Sequence, residues 1–169
     1  PICHCSHAKT EREERLIHGI IDKGKDTGIP SALEVRHKIK LQGENRLLVQ
    51  GQEMDVRQLR AKAKEFIVNA NDDPNMPKLF EEDFGQPFGT LKYTKEHVIS
   101  VQNDAETQYQ AYLEVQNELV AAYNELREEC AQKYFHTPYT ELDEEWQKKI
   151  QKIYPQKISE AEPKNYGGK

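Results

Sequence analysis

A two-layer α+β sandwich is the fold this sequence predicts: a small mixed β-sheet, two main helices packed on one face, and a helical extension near the C-terminus. Three stretches carry the prediction. IKLQGENRLLVQ (39–50) alternates apolar and polar residues around turn chemistry, the pattern of a β-hairpin. VISVQ (98–102) is a short β-branched run that fits a buried central strand better than an edge. After it, Tyr112, Val115, Leu119, Ala122, Leu126 and Cys130 recur at steps of three and four, the period of an amphipathic helix.

Residues 1–38 read as linker or irregular terminus. Thr10–Ile17 could form a short helix, but Gly19, Gly24, Gly28 and Pro30 break any regular pattern beyond it. In the hairpin, Ile39 and Leu41 alternate with polar neighbours, Gln42-Gly43-Glu44-Asn45 makes the turn, and Arg46-Leu47-Leu48-Val49 returns. Asp55, with Gln58 three residues on, is a capping-box variant that opens a helix over about 56–69. Residues 70–96 hold three prolines and two glycines and read as a long loop insert, its scattered aromatics pinning it to the surface. Asp104 or Thr107 then caps the second helix, which runs to about 133. At ~1.5 Å per residue it spans roughly 40 Å, more than a small sheet can cover, so its end is expected to project. Pro138 stops it. A short acidic helix comes next, from Thr140 and Asp143 to Pro155, Lys157-Ile158-Ser159 forms a last edge strand, and residues 166–169 fray.

Composition excludes some functions. The net charge is −5, and no block of Lys and Arg is free of interspersed acids. An electrostatic footprint for nucleic acid or anionic lipid is therefore lacking. Mean hydropathy is −0.91, and no stretch approaches the ~18–20 apolar residues that cross a bilayer. Residues 1–20 mix charges with apolar residues, unlike a signal peptide. The chain opens on Pro1, and we read it as part of a longer protein.

Reactive patterns are few. Cys3-His4-Cys5-Ser6-His7 groups metal-ligand types, but adjacent residues in extended chain point oppositely, and structural zinc sites space their ligands further apart. No metal, cofactor or catalytic residue is assigned. Cys130 sits on the apolar stripe and reads as a small buried hydrophobe. Glu81-Glu82-Asp83, Glu128-Glu129 and Asp143-Glu144-Glu145 read as solvated faces, without the burial that shifts a catalytic carboxylate. His18, His37, His97 and His136 are isolated and read as surface or boundary residues. The residues suggest an interaction domain rather than an enzyme. Its contacts would lie at sheet edges, Ile39–Leu41 or Lys157–Ser159 with Ile158, and at the tyrosines Tyr109, Tyr112 and Tyr123.

LLVQGQEMDVRQLRAKAKEFIVNANDDPNMP (47–77), VISVQNDAETQYQAYLEVQNELVAAYNELREE (98–129) and ISEAEPKN (158–165) together resemble the periplasmic domain of the ExbD/TolR biopolymer-transport family, in a long ExbD subtype. The likeness covers roughly 44–165, within a domain read as 39–165. It implies a homodimerising, partner-docking module on the periplasmic side of the inner membrane of a Gram-negative bacterium. ExbB-like and TonB-like proteins would be its partners, and the complex would use the proton gradient to energise outer-membrane transport. It also implies a single transmembrane anchor, bearing the proton-carrying aspartate, that this chain does not include. The TolR side of the family implies peptidoglycan binding as one alternative, and a metal-binding protein using the Cys3/His4/Cys5/His7 cluster is the other reading the residues leave open. Residues 1–38 match nothing in that pattern.

Overall fold

The structure, a computed structural model, describes residues 35–43 and 46–161. The Cys3/His4/Cys5/His7 cluster, the Thr10–Ile17 segment, Glu44-Asn45 of the hairpin turn and the tail lie outside the described residues.

The chain forms the expected α+β sandwich. Strands β1 (Val35–Gln42), β2 (Arg46–Val49), β3 (Gln52–Glu53), β6 (His97–Asn103) and β7 (Ile158–Ala161) make a mixed sheet in the order β3-β2-β1-β6-β7. β1 and β2 pair antiparallel, with Ile39 opposite Val49. β1 runs parallel to β6, with Ile39 opposite Val101, and β6 parallel to β7, with Ile99 opposite Ile158. Period-two alternation puts Ile39, Leu41, Leu47, Val49, Ile99 and Val101 on one face. Helices α1 (Val56–Val68) and α2 (Tyr109–Phe135) cover that face with Leu59, Ala63, Phe66, Ile67, Val115, Leu119, Ala122, Tyr123 and Leu126.

Asp55 caps α1 as expected, its carboxylate accepting the Arg57 N–H at 2.9 Å. The caps expected for α2 are corrected. Gln108 occupies the N-cap, without a side-chain bond. Asp104 instead donates its N–H to Leu41 O and Thr107 its hydroxyl to the same carbonyl, at 3.1 and 3.4 Å. The polar corner after β6 thus ties the chain back to β1, and the helix begins only after it.

Three further expectations change. β1 begins at Val35, so residues 35–38, read as the end of an irregular segment, belong to the sheet through their pairing with β6. The segment 70–96 carries a hairpin, β4 (Phe80–Asp83) and β5 (Thr90–Tyr93), turned through Gly85 and Gly89 at φ 72° and 64°. Its Phe84, Phe88 and Tyr93 are buried with Cys130, Ala131, Ile150 and Ile153 in a second core. Nor does the end of α2 project. A 3₁₀ turn (Tyr139–Glu141), α3 (Glu144–Ile153) and the hairpin wrap it, and Phe88 meets Tyr134, Phe135 and Trp146 edge-on at 5.0, 5.5 and 6.1 Å.

Candidate docking edge

β7 is made by the end of α3. Pro155 cannot continue the helix, and two residues on, the Lys157 carbonyl accepts the Ile99 N–H at 2.9 Å. The strand then runs parallel to β6. Since successive residues of a strand alternate sides, the N–H and C=O groups of Ser159 and Ala161 face β6, and those of Ile158 and Glu160 face outward. Among the described residues no strand pairs with that outer side.

Side chains from α2 border the edge. Ile158 packs against the first core. The Glu160 carboxylate accepts a bond from Gln116 Nε2 at 3.1 Å, and Gln116 also donates to the Tyr112 hydroxyl at 3.1 Å. Glu160 hydrogen bonding, with burial, pushes the Tyr112 phenol up. The Tyr112 ring stacks on Tyr109 at 6.3 Å between centroids, and Tyr109 is 72% exposed.

Of the six contact candidates, the structure therefore brings together Tyr109, Tyr112 and Ile158. The other three are corrected. Ile39 and Leu41 lie on an internal strand, paired on both sides, and each is 1% exposed. Tyr123 is fully buried.

Several charges in two clefts are held by internal bonds. Arg57, Arg60, Ala61, Lys64, Glu118 and Glu125 line one of about 570 Å³ between α1 and α2. There Arg60 grips both Glu118 oxygens at 2.8 and 2.9 Å and Glu125 at 2.7 Å, while Lys64 reaches Glu125 and Glu129 at 3.3 and 2.5 Å. It clamps the two helices together. In a second cleft, Lys152 binds Glu82, Lys157 donates to Lys95 O, and Lys95 lies over the Phe80 ring. Cys130 is buried as expected, and burial pushes its thiol up to about 11.

Sequence reasoning misplaced two histidines. His37 and His97 are buried, at 7% and 0% exposure, and both flank Phe66, with centroids 4.5 and 6.4 Å away. Desolvation, then the nearby Lys62, lowers His37 to about 4 against an opposing pull from Glu65. Desolvation likewise lowers His97 to about 4. Parity was the available signal: residue 37 shares a face with 39 and 41, and residue 97 with 99 and 101.

In comparisons with known proteins, no family model, curated protein or solved structure matches this chain.

Proposed function

We propose that this chain is a docking and dimerisation domain of the ExbD/TolR type. In that reading it is the periplasmic part of an ExbD-like subunit that works with ExbB-like and TonB-like partners to energise outer-membrane transport, and it performs no reaction of its own. The observation that carries the reading is the outer side of β7, a strand edge bordered by the Tyr109–Tyr112 stack. An edge of this kind takes an added strand through main-chain hydrogen bonds, and aromatic rings beside it supply contact area. The order of elements supports the family assignment. Strand, turn, strand and helix come first, and a buried strand leads through Gln102-Asn103-Asp104 into the long helix, in the order the resemblance requires.

Glu160→Pro tests it. The substitution removes an outward N–H and no bond to β6. Sedimentation over a wide concentration range is expected to give a reversible dimer for the parent chain and a weaker one for the variant. A strict monomer at every concentration that also fails to bind ExbB-like and TonB-like proteins would overturn the reading. Retention on insoluble peptidoglycan, undiminished in Glu160→Pro, would move the chain to the TolR side of the family.

A further inference from the structure

Behind the edge strand lies a buried relay whose proton positions are set by its geometry. His97 Nδ1 is 3.0 Å from both the hydroxyl and the carbonyl oxygen of Thr94. The Thr94 hydroxyl donates its proton to Ile67 O, and a carbonyl only accepts, so Nδ1 carries the ring proton. Nε2 is then an acceptor, and the Tyr123 hydroxyl donates to it at 3.0 Å. The same hydroxyl oxygen accepts the Lys157 N–H at 3.4 Å. Lys157 is also the residue whose carbonyl begins the β6–β7 ladder. One imidazole thus connects the start of β6, the middle of α2 and the start of β7.

We propose that this relay is an acid-operated latch on β7, holding the strand to the sheet while His97 is neutral and releasing it when His97 takes a proton. A proton on Nε2 abolishes the acceptor that Tyr123 uses. The Pro155 carbonyl, on the link between α3 and β7, favours the charged ring. The Tyr123 phenol, which holds Lys157, would be left with a buried O–H that has lost its acceptor.

The groups around the ring resist that change until the medium is acid. From the turn before β6 come the Thr94 oxygens, from α1 the uncharged Phe66, from β1 the buried His37 against that same Phe66 ring, from α2 Tyr123 with Arg127 acting on it, and from the α3–β7 link Lys157, whose charge opposes a second cation. The carboxylate of the adjacent Glu96 keeps one oxygen buried with no hydrogen-bond partner among the described residues, so that oxygen does not hold the ring. The inference extends the docking reading, because the strand released is the proposed docking edge. Its test reads β7 alone, whereas the docking test reads association.

Amide exchange of the 169-residue chain, followed by NMR as the pH is lowered, provides the test. The Ser159 and Ala161 protection factors are expected to fall about tenfold or more at a pH where β1 and β2 amides remain protected. Tyr123→Phe should produce the same selective loss at neutral pH, and His97→Gln should remove the pH step. Loss of β7 and β1–β2 protection in one common transition would overturn the latch. So would unchanged β7 protection in Tyr123→Phe. If that variant does not fold, the parent and His97→Gln profiles alone decide: identical acid steps at β7 refute the latch.

Discussion

The two cores of this protein are built from different materials on one helix. Under the sheet, α2 contributes Val115, Leu119, Ala122 and Leu126 to a core that is largely aliphatic and spread over β1, β2, β6 and α1. Further along, the same helix contributes Cys130, Ala131, Tyr134 and Phe135 to a core dominated by rings: Phe84, Phe88, Tyr93, Trp146 and Tyr154. The first is made by regular periodicity. The second is made by large side chains projecting from short, irregular pieces, each contributing one or two anchors. Periodic burial spreads stability over many residues, whereas ring-on-ring packing concentrates it in a few contacts.

Truncation should expose that difference most strongly. Leu119→Ala and Phe88→Ala each remove a buried side chain, and each is expected to cost about 4 kcal/mol. Leu119→Ala should lower the denaturant midpoint of the whole molecule, since its neighbours come from the sheet and both main helices. Phe88→Ala should instead deprotect β4, β5 and α3 amides while β1 and β6 amides keep theirs. Equal, global loss in both variants would mean that the cores form a single cooperative unit.

Acid sharpens the contrast, because both buried histidines lie in the first core. Each has a folded pKa of about 4 against an ordinary 6.5. Between those values the unfolded chain binds more protons, so stability rises with pH and is lost as pH falls from 6.5 towards 4. The loss is about 3 kcal/mol per histidine, at ~1.36 kcal/mol per unit. His37→Leu should flatten the dependence of stability on pH across this window, as measured by urea titrations at several pH values. An unchanged slope would remove His37 from the account. His37 Nε2 has no hydrogen-bond partner among the described residues, so an apolar replacement should also be tolerated at neutral pH.

The smallest effect is expected where charges on α1 meet those on α2. Arg60→Met keeps the packing of the stem but cuts the bonds to Glu118 and Glu125. The loss should be smaller than for either core truncation and should shrink with added salt. Melting curves at low and high ionic strength would measure it.

The same contrast explains what could be read in the sequence. The β1–β2 hairpin, α1 and α2 were legible because their apolar residues keep period two or 3.6, and β6 because Val98, Ile99 and Val101 form a short β-branched run. The β4–β5 hairpin was not. Its first strand, Phe-Glu-Glu-Asp, is mostly acidic, and the prolines around it suggested loop. Tertiary partners explain the middle acid: Glu82 accepts the Tyr93 hydroxyl at 2.6 Å and binds Lys152 on α3. The docking candidates divided for a related reason. A tyrosine on an apolar stripe reads alike whether it faces core or solvent, and rotation about the helix axis put Tyr123 inside and Tyr109 outside. Ile39–Leu41 resembled an edge only because its parallel partner, Val101–Asn103, lies far along the chain, a pairing no local pattern announces.

α2 also passes unbroken from the Tyr109 corner to the aromatic lobe, 27 residues without an interruption. A rod of about 40 Å shared by both ends has no hinge at which to dissipate load. Torque applied to the far lobe would therefore be delivered along the rod to the corner beside β7.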